Sequence, residues 1–435
     1  MTALYVYDDE RARTFEPFAL TRPVGTLMAG TSPVWLRWQA SLQLEAAGLL
    51  AASHLADFDE KFAPHAVAGA VPAGSIVANA RFAPAVAALA TRSIGRGGPA
   101  AGADATTRAW ICAGRVAAVR TPRALDAADF ARGDVRLEDL ADGGSGAAEL
   151  AGWWIDEVWD YVRLLPEQLT DDIVRASRGP LDQGGLGYGA PAPHVAVVGE
   201  HPVLIAEPQR ISGTTVAGAR IEPNVVLDAT GGPIMIAHGA KIHAFTRIAG
   251  PCYVGRDSII LGGDIGASSV GPVCKIRGEV STIIVLGYSN KSHDGFVGHS
   301  YLGRWVNVGA GTVTSNLKNT YSPVEFWTPR GERQTGLQFL GTFFGDHAKT
   351  GIGTPLTTGT VLGAGAAVFG SEMQPKVVPP FAWGSSAPYD TFQLEKFLTV
   401  AERVMARRHV PLSERSRRQL VASYEARWTL DEGAG

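Results

Sequence analysis

A six-residue beat constrains this chain more than any other feature. Apolar residues fall at Ile236, Ile242, Ile248, Val254 and Ile260, with glycine or another small residue tending to follow each. Neither an α-helix, with its period of 3.6, nor a strand, with its period of two, produces this spacing. Short parallel strands winding round a triangular prism do: one strand per side, a tight turn at each corner, one inward aliphatic per side. The count breaks over 265–290, resumes at Phe296, Leu302 and Val308, and resumes again at Leu356, Leu362 and Val368. Fifty-two glycines without a collagen period suit a fold with so many corners.

The texture before residue 190 is different. "ALYVYDD" reads as a short strand ending in acids, and "PVWLRWQASLQLEAAG" as a helix stopped at Gly48. "RAWICAGRVAAVR" reads as a strand pair about a glycine turn, and "DEVWDYVRLLPEQLTDDIVRA" as helical on both sides of Pro166. "GRGGPAAGADATTR" and "ADGGSGAAEL" read as connectors, and the Gly- and Pro-rich stretch 177–194 as the domain boundary. The tail after residue 386 carries a helical apolar stripe of Phe392, Leu394, Phe397, Leu398, Val400 and Val404, suited to capping a solenoid end. The basic run Arg403–Arg408 reads as its solvated face. The expected layout is an α/β domain over 1–180, a β-helix over 195–385 and a helical cap over 386–435.

The 39 basic and 42 acidic residues, for a formal charge of −3, give no electrostatic case for nucleic acid or an anionic membrane surface. Three cysteines without metal-ligand spacing suit a reducing compartment. An N-terminus without an apolar core segment, and the absence of an 18-residue apolar run, lead to the expectation of a cytoplasmic protein without a membrane span.

Polar residues interrupting the solenoid pattern are the candidates for chemistry. They are densest over 275–320, with Glu279, His293, Asp294, His299, Asn307 and Asn316. Here "HDGFVGHSYLGRWVNVGAGTVTSN" (293–316) resembles, without a gap, the acetyltransferase half of the bifunctional N-acetylglucosamine-1-phosphate uridylyltransferase/glucosamine-1-phosphate N-acetyltransferase family. "ALTRPVG", "GEVS", "GYSNKSHDGFVGHSYLG" and "NLKNTYS" resemble a variant branch described as sugar nucleotidyltransferases. The resemblance implies an α/β nucleotidyltransferase-like domain followed by a left-handed parallel β-helix, a homotrimer, and sites between subunits.

It also implies residue roles. His293 falls on the family's catalytic base and Glu279 on its acidic partner, with Asn307 and Asn316 on its acetyl-site and sugar-site asparagines. Phe296 stands where the family has a tyrosine and Ser281 where it has a lysine, so Lys275 or Arg277 is left to meet the sugar phosphate. His299 reads as structural or substrate-facing. The implied substrates are an amino-sugar 1-phosphate, acetyl-CoA and a nucleoside triphosphate. The pantetheine arm is expected along small residues such as Ala310, Ala364 and Gly365, which read equally as plain corners.

The chemistry accords with these roles. N-acetylation needs an ammonium deprotonated before it attacks a thioester, and imidazole, titrating near about 6.5, is suited to that. A carboxylate on its other nitrogen would fix the tautomer. Taking a coil as three hexapeptides, the fourteen-residue offset puts Glu279 on the coil next to His293.

For the N-terminal half the resemblance implies triphosphate and Mg²⁺ binding, although the usual glycine-rich phosphate loop is absent. Arg22 in "TRPVG" and Arg13 are the phosphate candidates, Asp8 and Asp9 sit at a strand end, and Asp160 is the metal candidate. Two other readings stay open: a sugar-nucleotide-binding scaffold, and a carbonic-anhydrase-type metalloenzyme using His238, His243 and His201.

Overall fold

The computed structural model describes residues 2–86, 106–141, 146–178, 187–211 and 214–430. Most of the connector 95–108, the stretch 142–145 and the centre of the expected boundary lie outside the described residues.

The N-terminal unit is a six-stranded mixed sheet with helices against it. Its first strand, Leu4–Tyr7, lies parallel between Ala46–Leu50 and Ile76–Asn79. The expected strand pair forms as Ala109–Cys112 and Arg115–Arg120, turning through Ala113 and Gly114, both at positive φ. The helix expected to run to Gly48 instead spans Val34–Leu42 and stops at Gln43, which is left-handed. The following "AAGLL" is a strand, because pairing with the first strand satisfies its backbone within the sheet. Pro166 sits in the first turn of the helix Leu165–Arg178, where its missing N–H is harmless.

From Ala196 onward the chain winds a parallel β-helix with three faces. The first face runs through Ile234–Ile236, Cys252–Val254, Ser269–Val270, Ile284–Gly287, Tyr301–Arg304, Phe343–Phe344 and Val361–Leu362. The second runs through Val226–Asp228, Thr246–Ala249, Gly263–Gly266, Val280–Ser281 and Val297–Gly298. The third runs through Lys241–Ile242, Ile259–Ile260, Lys275–Ile276 and Asn290–Lys291.

The five residues of the sequence beat are all fully buried in the axial core, as are Leu302, Val308, Leu356, Leu362 and Val368. Between 265 and 290 the column continues through Ile265, Val270, Ile276, Val280 and Val285 at spacings of four to six, because the corners there are shorter. Phe296 is a correction: it is half-buried beside the column, and Val297 holds the inward position.

The first face is buried on both sides. Its outward residues Met235, Tyr253, Ile284, Leu286, Tyr301, Phe343 and Val361 share one core with Leu4, Phe18, Val24 and Tyr161 of the N-terminal unit. The Tyr301 hydroxyl accepts the Met28 N–H at 2.8 Å, and Ser269 Oγ donates to the Gly30 carbonyl at 2.6 Å. A doubly buried strand reads as a continuous apolar run, which is what "IIVL" at 283–286 is.

A hairpin, Glu325–Thr328 with Gly331–Gln334, bulges out of one coil. Phe326 and Trp327 pin it to Trp159 and Trp428, with ring centroids 5.5 and 4.4 Å apart. The C-terminal helices Leu394–Ala406 and Glu414–Glu425 pack Phe392, Phe397, Leu398 and Leu420 onto Ala364, Ala367 and Phe381 of the last coils and onto Leu20. Among the described residues no helix is long and apolar enough to cross a membrane.

Candidate active site in the solenoid

The third face carries a polar column. Lys275 pairs with Asn290, Asn290 with Asn307, and Asn307 with Lys349, so four coils place these side chains one above another. Asn290 Nδ2 donates to Asn307 Oδ1 at 3.0 Å. Their inward neighbours are Ile276, Lys291 and Val308.

Lys291 is the one lysine on the inward column among the described coils, and it is nearly fully buried. Its Nζ donates to the Arg277 carbonyl at 2.7 Å and to the His293 carbonyl at 2.6 Å. It thereby pins the backbone of His293 to the preceding coil. Burial pulls its ammonium down to about 8.

His293 stands on a projecting corner. The stretch between Lys291 and Val297 holds five residues where the preceding coil, between Ile276 and Val280, has three. The longer corner pushes the imidazole out, and the residue is exposed. On one side is a cavity of about 370 Å³ lined by Lys275, Tyr288, Asn290, Ser292, Trp305, Asn307, Lys349, Val404, Arg407 and Arg408. On the other is a shallower cleft formed with Arg277, Asp294, Gly295, Ala310 and Gly311.

The first cavity has four cationic side chains and no carboxylate in its lining. Such a site favours an anion, and its charge acts at short range in a partly desolvated setting. Lys349 Nζ donates to the His347 carbonyl at 2.8 Å, and burial pulls its pKa down to about 8. Burial and the neighbouring Arg407 lower that of Arg408.

The cavity thus gathers His293, Asn307 and Lys275 from the expected residues, with Ala310 beside His293 in the adjoining cleft. It adds Asn290, Lys349, Arg407 and Arg408. The coil register finds Asn290, but Lys349 comes into line only across the hairpin insertion. Arg407 is exposed, as the solvated-face reading has it, and Arg408 half-buried, yet both also line the cavity because the C-terminal helix folds back along the solenoid.

Glu279 is a second correction. No hydrogen bond among the described residues joins it to His293. Its carbonyl accepts from Val297, so its backbone lies beside Phe296–Val297 on the next coil. The fourteen-residue offset does put Glu279 on the coil next to His293, but coils displaced by 15 residues at Lys275–Asn290 and 17 at Val280–Val297 set it beside Phe296 rather than His293. Arg277 pairs with Asp294 at 3.2 Å, beside the cleft.

His299 and Asn316 form a separate cluster at the next corner. Asn316 Nδ2 lies 2.9 Å from His299 Nδ1, so the imidazole accepts there and carries its proton on Nε2. Phe339 stacks on the ring at 5.3 Å, the Phe296 ring covers Gly298 beside Asn316, and burial lowers the His299 pKa.

Ala364 and Gly365 are not an open wall. Ala364 is buried under the C-terminal helices, and a Cβ on Gly365 would lie 2.5 Å from Phe381 Cδ1. Aromatic packing has taken the space that a thin arm would need.

The N-terminal candidates are held by partners within the protein. Arg22 is 3% exposed, with Nε on Asp346 at 2.8 Å and Nη1 on Glu60 at 3.0 Å. It ties the N-terminal unit to the solenoid, its guanidinium engaged by these carboxylates rather than free for a phosphate. Arg13 donates to the backbone carbonyls of Asp8, Phe130 and Ala131. Asp8 accepts the N–H groups of Val24 and Gly25, and burial pushes its carboxyl up to about 7.

Asp9 is clamped by Arg81 and Asn79 and caps Ala12, and these bonds hold its pKa below the usual value against the opposing effect of burial. Asp160 accepts the N–H groups of Asp156 and Glu157 and pairs with Arg163. A carboxylate so occupied does not fit a metal role. Among the described residues no three His, Cys, Asp or Glu side chains of one chain stand together as a metal site. His238 is buried with its ring 6.1 Å from that of Tyr188.

Comparison with known proteins gives a family model and several relatives. A family model described as sugar nucleotidyl transferase matches residues 4–179. A bifunctional sugar-1-phosphate nucleotidylyltransferase/acetyltransferase of Sulfurisphaera tokodaii is 34% identical over 92 residues, 21% of this chain and 23% of the relative. The bifunctional protein GlmU of Dichelobacter nodosus is 30% identical over 197 residues, 38% of each chain. That of Synechococcus elongatus is 26% identical over 164 residues, 37% of this chain and 28% of the relative. The chain matches well under half the length of each of these relatives, and resembles them at modest identity.

Proposed function

We propose that the solenoid transfers an acetyl group from acetyl-CoA to the amine of an amino-sugar 1-phosphate, and that it is joined to a sugar-1-phosphate nucleotidyltransferase-like domain. The observation that carries this reading is the placement of His293 at the mouth of a carboxylate-free cationic cavity shared with Asn307. A phosphorylated substrate suits Lys275, Lys349, Arg407 and Arg408, and the same charges suit the phosphates of CoA.

The neutral imidazole of His293 takes a proton from the acceptor ammonium. The freed amine attacks the thioester carbonyl, a C–N bond forms, the nitrogen gives up its second proton to solvent, the C–S bond breaks, and the thiolate leaves as the thiol with the proton held by the imidazolium. The Asn307 amide, whose oxygen is held by Asn290, is the candidate donor to offset charge on the carbonyl oxygen.

The charge reading has its own measurement. The double variant Arg407→Ala/Arg408→Ala should raise KM for the anionic substrate on the order of tenfold, with a smaller change in kcat. Lys349 binds an anion only as the ammonium, so the wild-type KM should also rise as pH passes about 8. An unchanged KM in the double variant would show that the phosphate lies elsewhere.

A second reading applies to the N-terminal half. The internal commitments of Asp8, Asp9, Arg13, Arg22 and Asp160 favour a domain kept as a scaffold or sugar-nucleotide binder. Pyrophosphate release from UTP or dTTP with sugar 1-phosphates separates the two: release supports the transferase, and none with any pair supports the scaffold.

A further inference from the structure

The corner between the first and third faces repeats a left-handed backbone residue on successive coils. Glycine takes it at Gly239 and Gly365, at φ 70° and 68°. On the coils between, Asp257, Val273, Tyr288, Trp305 and His347 take it at φ 56°, 60°, 56°, 62° and 61°. Bulky residues are disfavoured in this conformation and persist there only where their surroundings hold them.

The three rings form a column. Tyr288 and Trp305 have centroids 4.5 Å apart at 32°, and Trp305 and His347 are 6.2 Å apart at 23°. This column borders a second cavity of about 290 Å³, where the N-terminal unit, the solenoid and the C-terminal helices meet. Tyr288 and Trp305 also line the cationic cavity beside His293.

The junction cavity is built for a neutral, flat, polar group. Its lining balances Arg22, Lys61 and Arg304 against Asp59, Glu60 and Asp346, with Arg22 paired to Asp346 and Glu60 and Arg304 to Glu60. His347 is 4% exposed, and among the described residues neither its Nδ1 nor the buried Arg304 Nε has a hydrogen-bond partner. A buried polar atom left unpaired is costly, and polar groups of a ligand at this junction would offset that cost. Burial holds the imidazole well below its ordinary pKa, so it stays neutral.

We propose that the Tyr288–Trp305–His347 column is a stacking platform for the base of a nucleotide, with the nucleotide's phosphates directed to the Lys275, Lys349, Arg407 and Arg408 side. The inference extends the acyl-transfer reading, but its measurement needs no turnover, so the two fail separately. Two sources share the chemistry: the adenosine 3′,5′-bisphosphate end of an acyl-CoA, and the uridine diphosphate end of a sugar nucleotide.

Calorimetric titration of the full chain with adenosine 3′,5′-bisphosphate, UDP and adenosine tests it. One of the two phosphorylated probes should bind, more tightly than adenosine, and more weakly as salt rises. Whichever binds more tightly identifies the source. Trp305→Asn removes the ring with a residue that tolerates the left-handed backbone, and should weaken binding on the order of tenfold, with Trp305→Phe retaining most of it. Should Trp305→Asn fail to fold, the half-exposed Tyr288→Asn takes its place with the same expectation. No binding by either phosphorylated probe, equal binding of adenosine, or unchanged affinity in the asparagine variant would overturn the proposal.

Discussion

His293→Ala should lower the rate of acetyl transfer by about 100- to 10,000-fold, the range ordinarily lost with a general base. The residue is exposed on its corner, and its recorded hydrogen bond uses the backbone carbonyl that Lys291 holds. Truncation at Cβ therefore leaves the coil intact, and thermal unfolding should match the wild type. A fall in kcat with KM for acetyl-CoA nearly unchanged is the expected pattern, because the imidazole acts on the proton and not on the cosubstrate. His299→Ala serves as the contrast. Its ring is stacked on Phe339 and bonded to Asn316 at another corner, so it should affect packing more than the rate of the chemical step.

Arg22→Met should destabilise the protein by about 3–5 kcal/mol, the usual consequence of removing one partner from a buried ion pair. Asp346 and Glu60 would be left as carboxylates with little access to water, Asp346 with a side chain 6% exposed. Glu60 would keep Arg304 at 2.8 Å, so Asp346 bears most of the loss. Denaturant unfolding reads the change. Adding Asp346→Asn to the same chain should recover part of it, since the second substitution removes the stranded charge. A phosphate ligand at this position would behave in the opposite way, with normal stability and impaired nucleotide chemistry.

The architecture was legible because inward positions on a prism repeat whatever the outward ones do. Ile236 to Ile260 announced the solenoid without help from any neighbour. The interruption was not legible: a corner shortened by one or two residues moves the next inward residue, and only strand pairing shows that Ile265, Val270 and Val280 continue the column. The longer corner at His293 separates it from Glu279 on the neighbouring coil, since an offset counted in sequence is not a register between coils.

His293, Asn307 and Lys275 could be named from local motifs because they lie within 33 residues on adjoining coils. Lys349 and Arg407 could not. A hairpin insertion separates Lys349 from Asn307, and a helix returning from the far end of the chain delivers Arg407. Ala364 and Gly365 looked like open wall because small residues mark both free grooves and tight packing, and only the position of Phe381 tells them apart. The acidic strand end at Asp8 and Asp9 resembled a ligand site for a related reason. Carboxylates at a strand terminus serve equally to bind the N–H groups of a following turn, as Asp8 does for Val24 and Gly25.

The central claim is that an amine is acylated at the mouth of the cationic cavity. Incubating the wild-type protein with acetyl-CoA labelled in its carbonyl carbon and with glucosamine 1-phosphate, and following the carbonyl by NMR, tests it most directly. The account predicts that the thioester signal converts to an amide on the sugar, with one free thiol per amide, and that the His293→Ala protein leaves the thioester in place over the same time. Conversion to acetate without amide, or amide formed equally fast by both proteins, would contradict it.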